Sequence, residues 1–379
     1  MRRGVVSRHA QQRAEGAGLK SVLTLEDYGW DGFFAEAFAP FAAEGFEVGR
    51  VSLQHNRILM LYTAAGETWA ETTGRLRYHA RGTEDLPAVG DWVVVRRVAD
   101  EDKAKIHDIL PRRSKFSRRA AGSETEEQIV AANVDTVFLV TGLDADFNPR
   151  RVERYLIMAW ESGAEPVVVL NKADLVAEAE ERGREIERVA PGVPVLLLSA
   201  KRGVGVEQLL PYISRGRTVA LMGSSGVGKS TIVNRLLGSE VQRTQEVRLS
   251  DTKGRHTTTH RELFVLGDGG LVLDTPGMRE LQLLVSEKGL RETFEDIEEL
   301  AAACRFSNCR HEGEPACAVR AALESGTLDA ERYGNYRKME AEMRHAATLQ
   351  DVRKSQEEKS RVKRIHRAFN KTQKHREKG

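Results

Sequence analysis

The sequence of 379 residues predicts a multidomain protein in three parts: a small β-barrel of the OB type, a P-loop α/β domain with its motifs in rotated order, and a small helical metal-binding domain. Three observations carry the prediction. Short β-type runs broken by Gly, Asp and Pro fill residues 45 to 118. From Val134 the text changes to near-continuous apolar runs alternating with amphipathic stretches, and GSSGVGKS stands at 223–230. All three cysteines fall between 304 and 317.

Taken in order, residues 1–44 show little periodicity and read as a flexible or loosely helical N-terminal extension. The barrel is expected over 45–118, from runs such as RILMLYT, TWAETTGRLRYHA and DWVVVRRV. It closes on PRRSKFSRRA, where Arg112, Arg113, Lys115, Arg118 and Arg119 surround Phe116. Basic residues around an aromatic ring suit phosphate contact with base stacking, and a solvated linker explains the charges equally. The α/β domain is expected over 119–281. Its buried strands are DTVFLV, PVVVL, PVLLLS, TVALM and LVLD, and VERYLIMAWESG and GVEQLLPYI read as helices. A helical, acidic segment follows over 282–350, then a tail over 351–379.

The net charge of +2 conceals a segregation. From Arg353 onward eleven Lys or Arg face three Glu, a local charge of +8 that leaves −6 for the rest of the chain. A basic tail on an acidic body suits an anionic partner such as nucleic acid, and a solvated, partly disordered end is the alternative. No run approaches the roughly 18 apolar residues of a membrane span, and no apolar leader follows the first arginines, so a cytoplasmic protein without a membrane partner is expected.

GSSGVGKS lies between the strand TVALM and the helical TIVNRLLG, the context a phosphate loop needs. Gly223, Gly226 and Gly228 let the backbone of Ser224, Ser225 and Val227 wrap a phosphate with its N–H groups facing the anion. Lys229 is expected to neutralise the β and γ phosphates, Ser230 to offer a hydroxyl to Mg²⁺, and Thr231 to cap the same turn. DTPG at 274–277 ends an apolar strand, where Asp274 can hold the Mg²⁺ shell and the Gly277 N–H can meet a γ-phosphate. RHTTTH lies between, and one of Thr257, Thr258 or Thr259 is the natural residue to close on Mg²⁺.

The base reader is NKAD at 171–174. An Asp carboxylate only accepts, so Asp174 pairs with the N1–H and exocyclic amine of guanine, where adenine has no matching donors. Asn171, Lys172 and Ala173 brace that pocket. In SAK, Ser199, Ala200 and Lys201 form a second strand-end loop, with the Ala200 N–H expected at the guanine O6. These motifs all fall at the carboxyl ends of strands of one sheet, where open α/β folds bind ligands.

Their order is base, base, phosphate, then the two switches, a rotation of the usual GTPase order. Such permutation keeps a fold intact when the original termini lie close together. With PAVGDWV in the barrel, EQIVAANVDTVFLV, NKAD, SAK, GSSGVGKST, HTTT, DTPG and the cysteine cluster, the chain resembles the ribosome small subunit-dependent GTPase A family over roughly 45–350. The resemblance implies an OB barrel, a permuted GTPase core, a C-terminal zinc domain, and GTP hydrolysis to GDP that is stimulated by the small ribosomal subunit during late maturation. The small subunit and its rRNA are then the partners, and the chain is expected to be a monomer. An RNA-binding chaperone whose nucleotide turnover is incidental is the alternative.

The spacing Cys304-x4-Cys309-x-His311-x5-Cys317 supplies three thiolates and one imidazole, a closed set suited to one structural Zn²⁺, with iron–sulfur ligation or a chance cluster of buried thiols as the alternatives. After DTPG the chain has Met278, where many GTPases carry a glutamine that orients water. His256, beside the switch threonines, is the candidate to take that task; a contact to rRNA or solvent is its other reading. The catalytic set is thus Lys229, Thr258 and His256.

Overall fold

The computed structural model describes residues 23–55, 57–98, 101, 103–119, 127–238, 261–267, 269–274, 287–345 and 347–348. The switch residues His256 to Thr259, Gly277, Met278 and the basic tail lie outside the described residues.

The barrel is five-stranded: β1 (Glu47–His55), β2 (Ile58–Thr63), β3 (Gly66–Thr72), β4 (Trp92–Arg97) and β5 (Lys103–Ile109). Pairing runs β1–β2–β3–β5–β4 and returns to β1, with β3 and β5 parallel and the other pairs antiparallel. Closure is possible because inward residues alternate along each strand, so Val51, Leu61, Ala70, Val95 and Ile106 meet in one core. Each large aliphatic side chain so buried is worth about 1.5–3 kcal/mol.

Two sequence expectations change here. TWAETTGRLRYHA is not one strand: Thr73, extended, accepts from the Leu76 N–H at 3.2 Å and starts α2 (Gly74–His79). The lead-in carries a packed helix, α1 (Gly32–Ala43), capped by Asp31. Its Phe34, with Tyr28, packs on Val48, Trp92 and Leu110 beneath the barrel.

Strands β6 (Lys115–Arg119) and β7 (Glu127–Ala132) pair antiparallel, so a domain cut between 118 and 119 falls inside a hairpin. The same pairing overturns the base-stacking reading of this stretch. Strand alternation turns Phe116 inward, where it is 2% exposed in the core. Arg112 is spent on the buried Asp91, Lys115 on Glu127, and Arg113 on Asp31.

The α/β sheet follows, in the order β10 (Val195–Leu197), β9 (Glu165–Asn171), β8 (Thr136–Gly142), β11 (Thr218–Met222), β13 (Leu271–Asp274) and β12 (Arg261–Val265). The first five are parallel and β12 is antiparallel. Helices α3 (Pro149–Ser162), α4 (Ala179–Val189) and α5 (Lys229–Leu237) complete the crossovers, while GVEQLLPYI, read as a helix, is a 3₁₀ segment over Val206–Tyr212 that contains Pro211. Strand β12 also pairs with β1, through Leu53↔Glu262 and Gln54↔Arg261, so barrel and α/β sheet form one continuous sheet.

The C-terminal unit holds α6 (Glu287–Thr293), α7 (Glu295–Ala302), α8 (Ala318–Ser325) and a last helix, α9, over 330–345. Its core, Leu290, Phe294, Ile297, Val319 and Met339, includes Ile157 from α3, which seats the unit against the α/β domain. A buried ion pair fixes that seat: Arg332 donates to Glu153 of α3 at 2.8 Å and to Asp296 at 2.7 Å.

Candidate functional site

The parallel strands β8, β9, β11 and β13 end together, at Gly142, Asn171, Met222 and Asp274. Each predicted motif within the described residues therefore opens onto one crevice. The phosphate loop leaves β11 at Gly223. A Cβ there would meet the Val140 carbonyl oxygen at 2.1 Å, and one at Gly228 would meet Asn171 Nδ2 at 2.1 Å, so both positions need glycine for close approach. Gly228, at φ 102°, starts α5, and no side chain caps it. Thr231 thus lies within the helix rather than capping it. Lys229 Nζ donates to the Gly223 carbonyl at 2.7 Å and to the Ser224 carbonyl at 2.5 Å, so the loop is closed around the ammonium. Ser225, Gly226 and Ser230 are exposed at the mouth, and Val227 is buried beneath.

Asn171, 3% exposed, ties the loops together. Its Nδ2 donates to the Val227 carbonyl at 2.7 Å, and its Oδ1 accepts from the Ala200 N–H at 3.0 Å. The N–H expected at a guanine O6 is here donated to Asn171. Arg235 of α5 holds the same loop from outside, at the carbonyls of Ala200 (3.0 Å) and Lys201 (2.8 Å). Lys172 takes the left-handed backbone, φ 67°, and pairs with Asp144 at 2.5 Å. The Ser199 hydroxyl, against the opposing cost of burial, holds the Asp174 carboxyl below the usual carboxylate range. Arg202 adds an ion pair at 3.1 Å. Asp174 is therefore ionised and accepts only, as a guanine reader must. Ala173 follows Lys172 in the 3₁₀ turn Ala173–Leu175. Asp274 ends β13, whose Leu273 is level with Ala220 of the phosphate-loop strand.

Sequence reasoning missed the stretch LDADFN, residues 143–148, at the end of β8. Asp144 reaches the base loop through Lys172, and Asp146 reaches the phosphate loop by accepting from Ser224 Oγ at 2.9 Å. The only signal was a polar, aspartate-bearing loop at a strand end of the same sheet.

Cys304, Cys309, His311 and Cys317 converge, their ligand atoms all within 4.8 Å of one another. Cys304 Sγ lies 3.9 Å from Cys317 Sγ and 3.6 Å from His311 Nδ1, and His311 Nδ1 lies 3.4 Å from Cys317 Sγ. Metal–sulfur bonds of about 2.3 Å and metal–nitrogen bonds of about 2.0 Å at tetrahedral angles require edges of roughly 3.5–3.8 Å, so the donor set fits zinc. His311 and Ala316 both take positive φ, which folds the loop back onto its own ligands.

A cavity of about 320 Å³ lies away from this crevice, between the N-terminal segment, the barrel and the α/β sheet. Its cations are already satisfied. Arg50 donates to the carbonyls of Tyr28, Gly90 and Asn133, Arg215 pairs with Asp27, and Arg217 pairs with Asp135. Burial pulls the Arg50 guanidinium down to about 10, so it stays charged as an interdomain staple.

The family model described as RsgA GTPase matches residues 109–284. A model for ABC transporters also matches, over 206–376; that stretch contains the phosphate loop and lacks Asn171 to Asp174. The small ribosomal subunit biogenesis GTPase RsgA of Opitutus terrae is 51% identical over 91% of this chain and 96% of its own. RsgA 2 of Lactiplantibacillus plantarum is 46% identical over 84% and 88%. Among solved structures, YjeQ from Thermotoga maritima superposes with a TM-score of 0.59 at 30% identity, over 79% of this chain and 98% of that one. YloQ, titled a circularly permuted GTPase, gives 0.57 at 25% identity over 79% and 96%. The rotated motif order, the barrel joined to the switch-side strand and these relatives agree: the chain belongs to the RsgA GTPase family and is a GTP hydrolase of circularly permuted fold.

Proposed function

We propose that this GTPase acts on the small ribosomal subunit, assisting its late maturation and leaving once GTP is hydrolysed. The relatives that it matches over most of their length are named for biogenesis of that subunit. The observation that carries the reading is the β1–β12 pairing. The strand that follows the first switch is hydrogen-bonded to the barrel, and the strand that ends at the second switch is its other neighbour. A change at the γ-phosphate is thereby passed to a surface that meets the subunit.

In this reading Asp174 selects guanine, with Asn171, Lys172, Ala173, Ser199, Ala200 and Lys201 shaping the pocket. Gly223 to Thr231 cradle the phosphates, and Lys229 neutralises them. Ser230, Asp274 and Thr258 would hold Mg²⁺, which supplies charge neutralisation at the β and γ oxygens. Gly277 would present its N–H to the γ-phosphate. His256 orients the attacking water in place of a glutamine. Cys304, Cys309, His311 and Cys317 hold one zinc that folds their loop. The protein works as a cytoplasmic monomer, and among the described residues no helix is long and apolar enough to cross a membrane.

The test is GTP turnover by the full chain, alone and with purified 30S, 50S and 70S particles. Slow basal turnover that 30S raises by about 10² or more is expected if loop closure completes the site. His256→Ala removes most of that stimulation and leaves GTP affinity intact. A fast enzyme indifferent to subunits refutes the reading, and loss of subunit binding in the variant reassigns His256 to contact.

A further inference from the structure

Ser224, the second residue of the phosphate loop, is held on both sides. Inward, its carbonyl accepts from Lys229 Nζ. Outward, its hydroxyl accepts from Arg151 Nη1 at 2.7 Å and donates to Asp146 Oδ2 at 2.9 Å, and Arg151 and Asp146 are themselves ion-paired. The arginine stands on the first turn of α3, and the aspartate on the loop that leads into it.

That helix is a firm support. Asn148 caps it, accepting from the Arg151 N–H at 3.1 Å with Pro149 in the first turn. One turn on, Glu153, with no exposure, accepts from Arg332 at 2.8 Å and Asn335 at 2.6 Å in the C-terminal unit. The outer side of the phosphate loop is therefore braced by a helix whose first turns are capped by Asn148 and tied to the C-terminal unit through Glu153.

We propose that Arg151, aligned by Asp146, is a positioning residue for nucleotide binding, acting through the Ser224 hydroxyl. The physical need arises when an anion enters. Phosphate oxygens compete for the donors of Lys229, which in this structure close the loop from inside. The outer brace does not depend on that exchange, because the Ser224 hydroxyl is held by Arg151 and Asp146 while the ammonium is held by the Ser224 carbonyl. It keeps the backbone N–H groups of the loop aimed at the phosphates without reorganisation, which is the preorganisation that electrostatic stabilisation requires. Both contacts leave the one nitrogen Nη1, so a lysine keeps the charge but loses the rigid plane that aims that nitrogen at the hydroxyl and the carboxylate.

The inference rests on the phosphate-loop reading above, and Lys229→Ala tests that reading separately: wild-type GDP affinity in this variant overturns the loop assignment and the inference with it. The experiment measures dissociation of a fluorescent GDP from the full chain, with the melting midpoint of the nucleotide-free protein as a second readout. Arg151→Ala and Ser224→Ala should each speed dissociation about tenfold, the size of one charge-assisted hydrogen bond. Because both remove the same contact, the double variant should be no faster than either alone. Arg151→Lys should recover part of the loss, and the nucleotide-free midpoint should stay at the wild-type value. Single-variant rates within twofold of wild type, or accelerations that multiply in the double variant, overturn the proposal. A nucleotide-free midpoint that falls in step with the rate also overturns it, by making Arg151 merely structural.

Discussion

Arg332→Ala should detach the C-terminal unit without destroying the nucleotide crevice. The Arg332 side chain is 6% exposed and reaches Glu153 at 2.8 Å, Asp296 at 2.7 Å and the Thr293 carbonyl at 3.0 Å, with its Cζ 4.8 Å from the centroid of the Phe294 ring. Removing one partner of a buried pair costs about 3–5 kcal/mol, mostly from the charge left behind. Here Glu153 keeps Arg150 at 2.8 Å and Asn335 at 2.6 Å, so the lower end applies, about 3 kcal/mol. Glu153→Gln is milder: the amide still accepts from Arg332, whose charge remains paired with Asp296. It should cost roughly 1–2 kcal/mol, the scale of one weakened charged hydrogen bond. Urea denaturation of the metal-replete chain, followed by circular dichroism and by protease cleavage within α6 to α9, measures both. For a unit of this size roughly 3 kcal/mol corresponds to a fall of more than 10 °C in its melting midpoint. A loss below about 1 kcal/mol for Arg332→Ala, or a larger loss for Glu153→Gln, refutes the claim that this ion pair seats the unit.

Asp174→Asn should weaken GTP and favour xanthosine triphosphate, whose exocyclic oxygen replaces the amine that Asp174 accepts from; equilibrium binding of both nucleotides checks it, and unchanged GTP affinity removes NKAD from the base site. Cys309→Ser should lose the single zinc and the local fold of residues 300–320 while GTP binding persists, read by elemental analysis and nucleotide titration; iron, or no metal in the wild-type protein, counts against the assignment. The N-terminal segment should be acid-sensitive. Its Asp27 carboxyl is lowered from 3.8 to about 2, chiefly by the hydrogen bond from Arg215, so its stabilising contribution is present above pH 3.8 and lost as pH falls through about 2. Pepsin cleavage within residues 23–43 should rise across that window, and Asp27→Asn should be cleaved readily at pH 4.

How far the sequence reaches depends on the range of the interaction that carries each feature. GSSGVGKS, NKAD, SAK and the Cys304 to Cys317 cluster stand out in the sequence because each gathers its polar groups within a few residues, and the fold places the first three at strand ends of one sheet and draws the four side chains of the last together. The barrel and the permuted sheet were legible from strand alternation and from apolar runs buried on both faces. PRRSKFSRRA was misjudged because composition shows charge beside an aromatic but not direction: pairing with β7 turned Phe116 into the core and gave Lys115 a carboxylate in Glu127, while Arg112 and Arg113 found Asp91 and Asp31 elsewhere in the fold. Thr231 lost its capping role to Gly228, whose positive φ starts the helix without a side-chain oxygen. Three features needed the tertiary structure outright: the joining of β1 to β12, the brace of Asp146 and Arg151 on Ser224, and the seating of Arg332 on Glu153. In each, partners about 70 to 210 residues apart meet only because strand order and helix packing place them there. A charged side chain carries no local mark of which distant partner will neutralise it, so the chemistry of the crevice was written in motifs while its support was decided by the fold.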